Sequence, residues 1–180
     1  MTIQEIKQLN PRRYYIDFDS TIVNSVKAMV RILNRTFEMD VNYRYINKWD
    51  FSDQFPVNSD FIEHLFSSQI FFDNAEFYDG ALEFLKENVD NITIISKGGR
   101  INLELKCQFL AKHGLSAIKF IGLPLNKSKS CVDMTDCVFI DDVTENIKNV
   151  NATYKIQFRE FEEDKMWNSG WNGEILKDWK

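Results

Sequence analysis

The stretch Tyr14-Tyr15-Ile16-Asp17-Phe18-Asp19-Ser20-Thr21 opens on three large apolar or aromatic residues and runs into two carboxylates one residue apart. A strand's period of two turns Asp17 and Asp19 to the same side at its C-terminal end, where parallel sheets bind ligands. Two carboxylates this close repel unless a cation or a proton relieves them. The pair therefore implies a divalent metal, a raised pKa on one member, or both. An Asx-turn leaving a strand gives the same local pattern.

Working outward, four more β-type runs follow: ITIIS (92–96), IKFIGL (118–123), CVFID (137–141) and TYKIQF (153–158). Helical spacing separates them, as in Ile101, Leu105, Phe109 and Leu110, or in Ala81, Leu82, Phe84 and Leu85 after Gly80. Strands alternating with helices predict an α/β fold with a parallel, Rossmannoid sheet between helices. The segment 24–78 breaks the rhythm. It holds one amphipathic helix (Val26, Val30, Leu33, Phe37), an aromatic-rich irregular stretch and a helix from Asp60 to Ser68. We read it as a small helical cap inserted after the first strand, with 1–23 and 79–180 forming the α/β core. The final stretch, rich in charge and tryptophan, is expected to pack on the sheet domain.

Composition narrows the function. The chain has 180 residues, 44% hydrophobic and 14% aromatic, with only 7 Gly and 3 Pro, which suits one packed domain with an insert rather than a disordered chain. Its net charge of −5 and scattered Lys and Arg argue against an extended nucleic-acid interface. No apolar run approaches the roughly 20 residues of a membrane span, and MTIQEIKQLN lacks a signal-peptide apolar region. The expected compartment is the cytoplasm. Cys107, Cys131 and Cys137 form no C-x-x-C and read as reduced packing residues.

A second acidic pair, Asp141 and Asp142, ends the run CVFIDD. Hard oxygen ligands from two strand ends are what Mg²⁺ requires, although acids also favour the start of the helix that TENIKNV would form. Ser96 closes ITIIS and is followed by Lys97, Gly98 and Gly99 before a helix. That arrangement makes an anion nest or a plain N-cap. Lys127 and Lys129 stand beside the third strand's exit, where either can reach a phosphate or remain solvated.

As a set, DFDST (17–21), IIS (94–96), a downstream lysine and FIDD (139–142) resemble, in order, the four motifs of the haloacid dehalogenase (HAD) superfamily of phosphohydrolases. That superfamily places its C1-type cap where residues 24–78 lie. INKWDF (46–51), FFDNAEFYDGALEFLKE (71–87) and SKGG with the later Lys106 look like its 5'(3')-deoxyribonucleotidase branch. Ser20 stands where glycine is common and Asp79 where proline is common. The resemblance implies a Mg²⁺-dependent phosphatase of a small phosphomonoester, most simply a mononucleotide. In that reading Asp17 is the nucleophile and Asp19 the general acid and base, neutral near pH 7 with a raised pKa. Ser96, Lys97, Thr21 and Lys129 or Lys127 would bind phosphate, with Lys129 favoured by its place at a helix start. The metal would take the Asp17 carboxylate, the Asp19 carbonyl and Asp142 directly, and Asp141 through water. By the same resemblance Trp49 and Phe51 are expected to meet the substrate, and most of the insert's aromatics to form the cap's own core. Sugar-phosphate, phosphoglycolate and nucleic-acid 3'-end phosphatases, and a non-catalytic binding module, are the competing readings.

Overall fold

The computed structural model describes residues 1–180. Six strands build one sheet: β1 (Tyr14–Ile16), β2 (Ile92–Lys97), β3 (Lys119–Leu123), β4 (Val138–Asp141), β5 (Tyr154–Phe158) and β6 (Glu174–Leu176). All neighbours pair in parallel, in the order β3-β2-β1-β4-β5-β6. The first five match the predicted runs. β6 adds the edge, and its three residues are too short for a periodic signal to reveal.

The central strands are apolar on both faces because helices cover both. Ile16, Ile94 and Ile140 face one hydrophobic cluster, while Tyr15, Ile95 and Phe139 face the other. The chain runs outward from β1 through β2 to β3, then returns to β4 on the opposite side of β1. Ligands bind at such a reversal, beyond the C-terminal ends of the strands.

The helices are α1 (Ile3–Gln8), α2 (Ser25–Phe37), α3 (Ser59–Phe66), α4 (Gln69–Asn74), α5 (Ala81–Glu87), α6 (Arg100–Lys112) and α7 (Thr144–Asn149). Their starts follow ordinary capping chemistry: the Asn24 carboxamide oxygen accepts from the Lys27 amide at 3.0 Å, and that of Asn58 from Phe61 at 2.9 Å. The buried face of α6 differs from its predicted stripe. Ile101 is 60% exposed, and the helix instead buries Asn102, Lys106, Phe109 and Leu110. A polar face is turned inward, toward the site described below.

α2, α3 and α4 lie between β1 and β2. Met29, Leu33, Phe51 and Phe71 join Ile16 and Ile94 in one core of 35 buried residues. Phe72 and Phe77 pack on Phe109 of α6, with ring centroids 6.1 and 5.1 Å apart. The insert's aromatics pack on one another, as Phe66 on Phe71 and Phe71 on Phe72, and that cluster is continuous with the sheet's core.

Trp179 lies between Phe84 and Phe158, at 5.2 and 6.0 Å, which docks the C-terminal segment on the core. Its backbone also explains Gly80: at φ +87 a Cβ there would sit 2.5 Å from the Trp179 carbonyl oxygen. The three cysteines are free, but Cys107 and Cys131 are exposed, so the packing role holds for Cys137 alone. No helix is long and apolar enough to cross a membrane.

Candidate active site

β1 and β4 end side by side, and the Asp17 amide donates to Ile140 O at 2.9 Å, which carries the pairing one residue beyond β1. The chain then folds back sharply. Ile22 and Val23 donate their amides to Phe18 O, and Ser20 takes φ +51, a conformation glycine adopts more cheaply. This places Asp17, Asp141 and Asp142 with carboxylate oxygens all within 4.8 Å of one another.

All three acids are buried. Lys129, itself 1% exposed, donates to Asp141 at 2.7 Å and contacts Asp17. Asp141 is further held by the Val143 amide at 2.8 Å and by the Asn146 carboxamide. Asp142 is less satisfied. Thr21 Oγ1 lies 3.5 Å from its Oδ1, and its Oδ2 is buried with no partner. Burial pushes the Asp17 carboxyl up to about 7, since the Lys129 ammonium offsets only part of the desolvation and Asp141 and Asp19 add repulsion. Burial also raises Asp142 well above the carboxylate range, reinforced by Asp141 and Asp17. Burial alone would lower Lys129, but Asp141 and Asp17 outweigh it and raise it. One cation among three buried acids leaves excess negative charge, and an orphaned oxygen marks where a cation would fit.

Beside this cluster Lys106, 1% exposed, reaches across from α6. It contacts Asp19, donates to Ser96 Oγ at 2.9 Å and to Lys97 O at 3.2 Å. Asp19 also accepts from Ser25 Oγ at 2.8 Å. Its two oxygens thus face an ammonium and a hydroxyl.

Asp19 opens onto a cavity of about 600 Å³, within the range of small-molecule sites. Lys97, Gly98, Gly99 and Asn102 line its floor, Trp49, Ile62 and Phe66 come from the insert, and Met166 and Trp167 from the C-terminal segment. A Cβ on Gly98 would fall 2.2 Å from Asn102 Oδ1, so the backbone comes close to α6 there.

The residues singled out from sequence therefore divide. Asp17, Asp19, Ser96, Lys129, Asp141 and Asp142 converge on the strand ends, and Lys97 lines the cavity. Lys127 does not converge: it lies exposed in the loop after β3 with no side-chain partner, because that loop points only Lys129 inward. Thr21 is fully buried, as Ser96 is, and its Oγ1 lies 3.5 Å from Asp142 Oδ1. Trp49 is on the cavity wall, whereas Phe51 is fully buried in the core. Its place on the wall is taken by Phe66. Lys106, cited from sequence only for its likeness to the nucleotidase branch and given no role there, belongs to the site, and its i+4 spacing from Asn102 puts it on the stripe that ends in Phe109 and Leu110.

The family model described as 5' nucleotidase, deoxy (pyrimidine), cytosolic type C matches residues 13–167. No curated protein matches the sequence. Solved structures with a similar fold include a HAD hydrolase from Bacillus subtilis bound to magnesium, at TM-score 0.60 and 12% identity over 94% of this chain and 95% of that one. A HAD family hydrolase from Deinococcus radiodurans with bound phosphate and sodium gives 0.55 and 15% over 82% and 80%. A haloacid dehalogenase-like hydrolase from Streptococcus pneumoniae gives 0.55 and 11% over 83% and 85%. At these identities the likeness is one of fold.

Proposed function

This chain belongs to the cytosolic type C 5'-nucleotidase family of HAD phosphohydrolases, and from that premise we propose that it hydrolyses a nucleoside monophosphate, with a deoxynucleotide preferred, through an aspartyl-phosphate on Asp17. The observation that carries the reading is the junction of the buried acidic cluster with an aromatic-walled cavity through one residue, Asp19. One end of that space suits a phosphate and the other a base.

In this mechanism a carboxylate oxygen of Asp17 attacks phosphorus and the bond to the ester oxygen breaks. Asp19 gives the leaving alkoxide a proton. Water then attacks the aspartyl-phosphate, Asp19 takes its proton, and phosphate leaves. Lys106 and Ser25 hold the Asp19 carboxylate toward the cavity between these transfers. Ser96, Lys97 and Lys129 bind the phosphoryl oxygens and stabilise charge as it shifts. Thr21, which lies against Asp142, orients that carboxylate.

Asp17, Asp142 and the Asp19 carbonyl would hold a divalent cation, Mg²⁺ by chemistry. Asp141 would act through water, which suits its full set of protein partners and the orphaned oxygen of Asp142. Such an ion supplies the positive charge that offsets repulsion between an anionic nucleophile and a phosphate dianion. Residues 24–78 act as a specificity cap over 1–23 and 79–180, and Trp49 offers a ring to the base. A cytoplasmic setting suits three free cysteines, two of them exposed.

The test is phosphate release from 5'- and 3'-mononucleotides, their deoxy forms, sugar phosphates and phosphoglycolate, each with Mg²⁺ and with EDTA, using Asp17→Asn as the blank. Mg²⁺-dependent turnover selective for nucleotides is expected. Turnover confined to sugar phosphates keeps the chemistry and discards the substrate.

A further inference from the structure

Four tryptophans stand in the chain, and their indole N–H groups divide them. Trp179 donates to Thr21 O at 2.8 Å and Trp171 to Glu174 O at 3.0 Å. Trp49 and Trp167, the two on the cavity, have no protein acceptor. A buried tryptophan usually finds its N–H a protein partner, as Trp179 does. The cavity pair leaves both donors and part of two ring surfaces uncommitted. Trp49 is 38% exposed, and Met166 beside Trp167 is 64% exposed.

The rings form a continuous wall. Trp49 stacks on Phe66 with centroids 5.6 Å apart and 14° between planes, and Trp167 meets Trp49 edge-on at 5.5 Å. Trp49 and Phe66 belong to the insert, Trp167 to the C-terminal segment. Trp167 O accepts from the Thr144 amide at 3.0 Å, two residues past Asp142. Asn168 O accepts from Gln157 Nε2 at 3.0 Å and from Arg159 Nη2 at 2.9 Å.

The same segment reaches the insert. Glu160 accepts from Tyr43 Oη at 2.8 Å, Glu163 pairs with Arg44, Lys165 contacts Arg44 O, and the Met166 amide donates to Asn47 O at 3.3 Å. Residues 160–168 thus form a strap bonded at both ends, which anchors Trp167 on the cavity wall. A fixed aromatic face with a free donor is what recognition of a planar, acceptor-bearing group needs.

We propose that Trp167 is a specificity-determining residue: its ring and free indole N–H meet the base of the bound nucleotide, so the C-terminal strap, together with the insert, selects the substrate. The inference rests on the nucleotide reading above. It differs from packing in one respect, since a packing residue would not alter the choice between substrates with and without a base.

The experiment compares kcat/KM for a 5'-deoxynucleotide with that for 2-deoxyribose 5-phosphate, in the wild type and in Trp167→Ala, Trp167→Leu and Trp167→Phe. The nucleotide preference should fall about 10-fold in the Ala and Leu variants, carried by KM and not by kcat. Phe keeps a ring without the donor and should retain a preference between the two. Leu keeps more apolar bulk than Ala, so it reports even where Ala weakens the fold. A wild-type preference that survives both Ala and Leu overturns the role of Trp167 alone. A wild type with no preference overturns the nucleotide reading and this role with it.

Discussion

Lys106 brings its ammonium against the Asp19 carboxylate from a helix 87 residues further along the chain, and both lie where the acidic cluster meets the cavity. The pair is nearly dry: the lysine side chain is 1% exposed and the aspartate side chain 16%. Two charges so placed hold one geometry, at a cost in desolvation that their mutual attraction and the bonds to Ser96 and Ser25 must offset.

Removing one partner therefore costs more than removing both. Lys106→Met should lower stability by about 3 kcal/mol, and Lys106→Met with Asp19→Asn should recover more than half of that in urea unfolding. Phosphatase activity should fall at least ~100-fold in Lys106→Met, the scale of a misplaced general acid.

Cation binding should be visible without turnover. Mg²⁺ at about 100 times its Kd should stabilise the wild type by ~2.7 kcal/mol, a rise of roughly 5–10 °C in Tm for a chain of this size. Asp142→Asn removes the carboxylate with the orphaned oxygen. It should abolish the Mg²⁺ response in a thermal-shift assay while the metal-free protein stays folded.

Tyr43 ties the insert to the strap through Glu160, and burial, with the bond to that carboxylate, pushes its phenol up to about 12. An unfolded tyrosine titrates near ~10. Between these values the folded state holds the proton and the unfolded state does not, so stability falls as pH rises from about 10 to about 12. Subtracting a Tyr43→Phe titration from that of the wild type, followed by tyrosinate absorbance, should isolate one late-ionising phenol.

Gly80 combines a left-handed φ of +87 with the Trp179 carbonyl 2.5 Å from any Cβ. Gly80→Ala should destabilise by ~2 kcal/mol or more, beyond the backbone term alone. The measurement is chemical unfolding; the C-terminal tryptophan should report the loss through its fluorescence.

The acidic residues were readable because a strand's alternation and its end are local properties: Asp17, Asp141 and Asp142 needed only their own strands to find one another. Lys106 could be cited by resemblance to the nucleotidase branch, but its contacts with Asp19 and Ser96 were not readable. Ile101 and Leu105 suggested a stripe one residue out of phase with the face that α6 buries, where Lys106 meets Asp19 and Ser96 and Asn102 donates to Phe66 O. Phe51 and Phe66 are chemically alike, and only tertiary packing decides which lines the cavity. The strap is likewise a long-range fact. Its bonds to the insert join residues more than 115 positions apart, as in Tyr43 to Glu160, and no spacing rule covers that distance.

The most direct measurement is an acid-quenched single turnover with a 5'-deoxynucleoside monophosphate labelled in its phosphate, followed by mapping of protein-bound label. The account predicts Mg²⁺-dependent label on the peptide carrying Asp17, absent from Asp17→Asn and lost on incubation with water as phosphate appears. Turnover with no protein-bound label, or label that persists in Asp17→Asn, would contradict it.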